Sequence, residues 1–284
     1  MSSRAIAGDL RQAAGAAVLL FAFFRPEALM AHGEIHLRIL ELTRQIQAMT
    51  NNLAPLYLER GELEREHGVW DAAAADYDLA AKLDPRLARV DLCRARLLAD
   101  RGELAAAKIA YDRAVARSPT DGEGFLGRGR VEARLGQVGA AITDFQRGIE
   151  LLKQPRPEDL LQLARLLAAE EDPKAALRAL DDGMRKLGMV ISLQEYAIDL
   201  DLKRRDIPSA LARVESILAR VPRKETWFAR RGDLLARAGR TREARQSYEA
   251  SLAAIRQLPA ILQQSPPLLK LAAEVQAAVA ILQQ

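Results

Sequence analysis

Hydrophobic and polar positions along this chain fall into helical spacing almost from end to end. In Glu34 to Met49, EIHLRILELTRQIQAM, the apolar residues Ile35, Ile39, Leu42, Ile46 and Met49 return along one face of a helix. Near the other end Leu268, Leu271, Val275, Val279 and Leu282 form a second stripe. Ser265-Pro266-Pro267 before that stripe offers an N-cap hydroxyl and prolines tolerated in a first turn. Between the two stripes a pattern recurs. In Gly61 to Pro85, GELEREHGVWDAAAADYDLAAKLDP, Ala73 is followed by Tyr77, Ala80 and Pro85. A step of 34 gives Ala107, Tyr111, Ala114 and Pro119, and another gives Ala141, Phe145 and Gly148. A step of 35 reaches Ala176, Leu180 and Gly183; two more of 34 reach Ala210 with Val214, then Ala244 with Tyr248. Glycines keep the same beat at Gly68, Gly102, Gly136 and Gly239.

Each copy reads as two amphipathic helices that cannot bury their apolar faces alone. Small residues such as Gly61, Ala73 and Ala80 let backbones approach, and the aromatic at the Tyr77 position fills the space toward the next pair. Gly68 stands where the first helix must stop and turn, a place for positive φ. Asp84-Pro85 ends the second helix, since proline lacks an N–H and disfavours helix in the residue before it. A period of 34 with A-x-x-x-F/Y and a closing proline resembles the tetratricopeptide-repeat family.

That resemblance implies an all-α solenoid, a right-handed superhelix of about six helix-turn-helix repeats at 54–87, 88–121, 122–156, 157–190, 191–224 and 225–258. Residues 32–53 read as an N-terminal half repeat and 259–284 as a C-terminal capping helix, terminal repeats being atypical. Copies four and five are weaker: Leu180 and Val214 replace the aromatic, and Lys174-Ala175 follows Pro173 where a turn glycine is expected. The extra residue falls near Gln154-Pro155-Arg156-Pro157, where the prolines fix an extended join and a modest bend is expected. Trp70, just before the second helix, is expected to pack within the first repeat.

Composition narrows function by exclusion. The net charge is only +4 and aromatics make up 5% of 284 residues, used for packing rather than interleaved with basic residues. No nucleic-acid partner is therefore expected. Three histidines, His32, His36 and His67, and one cysteine, Cys93, leave little for catalysis. There is no P-loop, no G-x-S-x-G, no paired cysteine motif and no H-E-x-x-H, so neither enzyme activity nor a cofactor is expected. Cys93 can form no intramolecular disulfide and reads as a small buried hydrophobe. Carboxylates pair with Arg at helical spacing, as Glu62 with Arg65 and Glu132 with Arg128.

The N-terminus reads as a signal peptide, residues 1–31: Arg4 and Arg11 precede the apolar run Ala13 to Phe24, with cleavage after Ala31. This places the protein in the periplasm or outside the cell, with a cytoplasmic location as the alternative and no stable membrane span after cleavage. If His32 becomes the first residue, its imidazole and α-amine, with His36 four residues on, offer an N-ligand metal site. That is the alternative function, metal handling.

The resemblance also implies where a partner binds. In the family, the first helices line a concave groove that holds an extended peptide or a partner helix. The residue one place after the Gly61 position gives Glu62, Arg96, Arg130, Arg165, Asp199 and Asp233. Four places further stand Glu66, Asp100, Arg134, Ala169, Lys203 and Arg237. An arginine ladder with acidic ends suits an acidic protein or peptide partner, because guanidinium binds carboxylate bidentately. Neighbouring repeats can also neutralise it, for example Glu123 or Glu158 with Arg96 or Arg130. The carboxylate clamp of the family's chaperone cofactors is absent, since Leu58, Glu62, Cys93, Glu123 and Gly127 occupy its places.

Overall fold

The computed structural model describes residues 26–282, and every regular element among them is a helix. Helix α1 spans Pro26–Ala48. Next come α2 (Leu53–Glu66) with α3 (Trp70–Leu83), α4 (Arg89–Asp100) with α5 (Leu104–Arg117), and α6 (Gly122–Arg134) with α7 (Val138–Leu151). Then follow α8 (Pro157–Ala169) with α9 (Pro173–Leu187), α10 (Ile191–Lys203) with α11 (Ile207–Leu218), and α12 (Glu225–Arg237) with α13 (Thr241–Arg256). The short α14 (Ala260–Gln263) and α15 (Pro266–Ile281) close the chain. The architecture is an all-α solenoid of repeated helix pairs. The chain divides into two compact units after Asp144, inside α7, rather than at the proline-rich join.

The turn inside each pair has one geometry. Gly68, Gly102, Gly136 and Gly239 all have φ between 73 and 82°. The amide after each reaches back one turn, as Val69 N–H to Glu64 O at 2.8 Å, which satisfies carbonyls at the helix end. In the fourth and fifth pairs this position falls to Glu171 (φ 58°) and Arg205 (φ 59°), not to Lys174-Ala175. The missing glycine is offset by the next residue. Asp172 accepts from Ala175 N–H at 2.9 Å and Asp206 from Ser209 N–H at 3.2 Å, each opening a helix with proline in its first turn.

In the first unit the wedge aromatics set the packing. The Tyr77 ring lies so close to Gly61 that a Cβ there would meet it at 2.6 Å. Tyr77 packs with Leu58 and Ala73 of its own pair and with Val90, Cys93 and Leu97 of α4. Tyr111 repeats the arrangement with Leu92, Ala95 and Val131, its ring pressed on Gly127. Of the first apolar stripe, Ile39 and Leu42 are buried in α1, whereas Met49 lies past the helix end and is exposed. In the second unit Ile198, Val214, Ile217, Leu234 and Leu235 form the core, and α15 closes it through Val275, Leu271 and Val279.

Three local expectations are corrected. Trp70 is 39% exposed, because the first residue of a helix projects over the preceding turn, where Gly68 and Asp71 leave only a shallow notch. Ser265 makes no cap; its hydroxyl donates backward to Leu262 O at 2.6 Å, and Pro266 and Pro267 have no amide to offer it. Arg128 does not pair with Glu132 but grips Asp144 through Nε (2.6 Å) and Nη2 (2.8 Å) and reaches Asp112 at 2.9 Å.

Candidate functional site

The residues proposed as a ladder stand on the first helix of each pair, on α2, α4, α6, α8, α10 and α12. In the first unit most are held by one another. Glu62 accepts from Tyr77 Oη at 2.5 Å, from Arg65 Nε at 3.2 Å and from Arg96 Nη1 at 3.1 Å. Arg96 also reaches Glu123 at 3.4 Å, and Arg65 reaches Asp100 at 2.5 Å and Glu66 at 3.6 Å. Burial pushes the Glu62 carboxyl up, but the Tyr77 hydroxyl, Arg65 and Arg96 together hold it below its ordinary value. Tyr77 is raised by burial and by Glu62, so its hydroxyl remains a donor throughout. Arg96 is therefore a half-buried member of a cross-repeat network. Arg130 sits near Tyr111, whose hydroxyl burial pushes up to about 12.

Arg134 is placed differently. It is exposed and donates only to the Ala99 carbonyl at 3.1 Å, with no carboxylate partner among the described residues. Its register explains this: the corresponding place one repeat earlier holds Asp100, already taken by Arg65.

In the second unit Arg165 is exposed, and its guanidinium lies 5.8 Å from the Tyr196 ring centre with no carboxylate partner among the described residues. Asp199 is paired with Arg230 at 2.6 Å, and Asp233 accepts from Tyr248 Oη at 2.7 Å. The acidic residues here are thus engaged from the following element, and Arg165 is the one offered outward among these three. Tyr196 and Arg230 were not singled out from the sequence, and Arg65 was expected to pair with Glu62, as it does, but not to reach Asp100. Their signal is opposite charge, or charge and aromatic, about one repeat apart and one helix face over.

Of the histidines, His36 on α1 lies 6.4 Å from His67, ring centre to ring centre, at the end of α2. The His32 side chain, and residues 1–25 of the stretch expected to be a signal peptide (1–31), lie outside the described residues. Among the described residues no group of three or more His, Cys, Asp or Glu is placed to hold a metal ion, and no helix is long and apolar enough to cross a membrane. Cys93 is fully buried in α4, and burial pushes its thiol up to about 12, so it is neither nucleophilic nor redox-active near neutral pH.

The tetratricopeptide-repeat family model matches residues 92–157 and 197–259. No curated protein matches the sequence. Among solved structures, pilF of Pseudomonas aeruginosa is similar over 79% of this chain and 96% of its own, with 16% identity and a TM-score of 0.54. YrrB, described as a TPR protein with an unusual peptide-binding site, is similar over 71% of this chain and 97% of its own, with 17% identity and a TM-score of 0.50. MamA is similar over 61% of this chain and 94% of its own, with 18% identity and a TM-score of 0.51. At these identities the likeness is one of fold. Together with the repeated glycine turn and the wedge aromatics, the family match supports the tetratricopeptide-repeat family for this chain, residues 92–157 and 197–259 being the repeats it covers.

Proposed function

We propose that the protein is a non-catalytic scaffold that binds an acidic segment of a protein or peptide partner on the face carried by its first helices. The observation that carries the proposal is Arg165: an exposed guanidinium, braced by the Tyr196 ring, with no carboxylate of its own. A stacked guanidinium is held in plane while its N–H donors stay available, so less entropy is lost when a carboxylate arrives. In the first unit Arg134 is exposed too, held by the Ala99 carbonyl rather than by a ring, and Arg130 neighbours it on α6. Arg96 contributes through the network that fixes Glu62 rather than by direct contact.

The test uses fluorescence anisotropy with a labelled Glu-rich decapeptide and an uncharged counterpart. The double variant Arg134→Glu, Arg165→Glu is expected to retain its helical circular dichroism and to weaken binding of the acidic peptide by about tenfold or more. Equal affinity for both peptides, or no effect of the double variant, rejects the reading.

The proposal includes export. Ala13 to Phe24 has the length and polarity of a signal-peptide core, with Ala31 preceding the cleavage point. Sequencing the N-terminus of the protein recovered from its host decides this: a start at His32 supports export, and a start at Met1 or Ser2 overturns it.

A further inference from the structure

The second unit carries an unfilled cleft and, elsewhere, an apolar helix face with nothing on it. The cleft, about 360 Å³, lies between the end of α7 and the length of α9, over a floor from α8. Its floor is Leu160, Leu163 and Leu167, and its α9 wall runs from Ala175 to Lys186. Those eleven steps span about 16 Å, three helical turns. Gly183 keeps the floor low: a Cβ there would meet Leu160 at 2.5 Å. The wall's rim carries Arg178 and, four residues on, Asp182, which in the single chain is held by Arg185 in a largely exposed ion pair that a new partner can exchange. Arg178 has no ion-pair partner among the described residues.

Helix α15 is apolar on both sides. Its inner side closes the core through Leu268 and Val275. Its outer side exposes Leu269 (49%) and Ile281 (69%), with Ala273 and Ala277 exposed on the row between them. This row also spans about three turns, or 18 Å. Here the charges flanking the row are Lys270 and Glu274, loosely paired at 3.8 Å and both largely exposed.

The two surfaces match in apolar character and in charge order: in the register that pairs the charges, Leu269 to Ala277 lie along the wall from Gly183 to Ala175, with Ile281 beyond its end. Laid antiparallel along α9, α15 brings Lys270 to Asp182 and Glu274 to Arg178, with Ala273 and Ala277 small enough for close approach. Within one chain α15 is already seated on α13. We propose that the outer face of α15 docks in the α7–α9 cleft of a second copy of this chain, so that the protein self-associates through its second unit. Exchange of the contact by both partners would double the buried surface and close the assembly as a dimer.

The test is sedimentation equilibrium on the full chain. The wild type is expected to dimerise. Asp182→Lys and Lys270→Glu are each expected to weaken the dimer about tenfold or more, and the two together to recover most of that loss. Both positions are exposed, so helical content is expected to be unchanged. A second measurement mixes an Arg178→Cys chain with a Glu274→Cys chain under mild oxidation. An inter-chain disulfide between the two supports the docking. A wild type that stays monomeric to several hundred micromolar, a dimer indifferent to both charge variants, or absence of the cross-link overturns it.

Discussion

Tyr77 Oη gives its proton to Glu62 at 2.5 Å and lies 3.1 Å from the carbonyl oxygen of Gly61, while its ring occupies the space that a Cβ at Gly61 would need. The same side chain is thus wedge and strap: its ring fills the gap between helix pairs and its hydroxyl ties back to the first helix. Tyr248 over Gly232 repeats the steric half of this relationship within one pair, whereas Tyr111 presses on Gly127 of the following pair, Ala95 standing at the Gly61 place of its own.

The relationship predicts opposite outcomes for two Gly→Ala changes. Alanine gains up to about 1 kcal/mol in a helix interior, but overpacking costs about 1–3 kcal/mol. Gly127→Ala is expected to destabilise, because Tyr111 must move. Gly139→Ala, in α7 with nothing near its Cβ, is expected to be neutral or stabilising. Removing the wedge, as in Tyr111→Ala, is expected to cost about 3–5 kcal/mol. Thermal and urea melts of the three variants check this; a stabilised Gly127→Ala would contradict the close contact.

Glu171 and Arg205 hold a left-handed turn that four other repeats give to glycine. An L-residue pays about 1–2 kcal/mol for that conformation, against a smaller unfolded-state advantage over glycine. Glu171→Gly and Arg205→Gly are each expected to raise stability by up to about 1 kcal/mol. Gly68→Ala is expected to lower it by a similar amount. Loss of stability in both glycine variants would show that these side chains do something the turn does not reveal.

Two carboxylates of the first unit, the half-buried Glu62 and the buried Glu132, respond to pH in opposite senses. Glu62 is held below its ordinary value of 4.5, so it binds protons less readily folded than unfolded. Its contribution is complete above about pH 4.5 and is lost as pH falls through its lowered value. Glu132 is 4% exposed, and its Oε2 finds no partner. Burial and then the Asp144 carboxylate raise it, against Lys108 and Arg128. It binds protons more readily folded, so its contribution is present at low pH and lost as pH rises through its raised value. Glu132→Gln is accordingly expected to stabilise the protein by about 1 kcal/mol at pH 7 and to have no effect near pH 4. Glu62→Gln is expected to destabilise at pH 7. Urea titrations at both pH values separate the two.

The repeat was legible because its signal is steric and local. In the first pair Gly61, Ala73 and Tyr77 must be bare, small and large for two helices and a wedge to fit, and the alanine recurs in all six copies at Ala107, Ala141, Ala176, Ala210 and Ala244 while the wedge varies. The ionic pattern was less legible. An arginine reaches about one repeat in either direction, so sequence alone did not choose among Glu62, Glu123 and Glu158 for Arg96; rotation of α2 and α6 about α4 brings the first two within reach. The Arg128 choice of Asp144 over Glu132 has the same origin, since a partner on the facing helix allows a two-pronged bond that a neighbour on the same helix does not. Glu171 and Arg205 carried no signal at all. Their turn is imposed by the helices on either side.

Helix α4 takes part in two clusters at once. Val90, Cys93 and Leu97 face Tyr77, whereas Leu92 and Ala95 face Tyr111. Neither cluster can open without uncovering one side of the helix that the other relies on. Amide protection in the first unit is therefore expected to be shared rather than stepped: α4 exchanges only when both flanking pairs have let go, and α1, which among the described residues packs chiefly on α2, frays ahead of the rest.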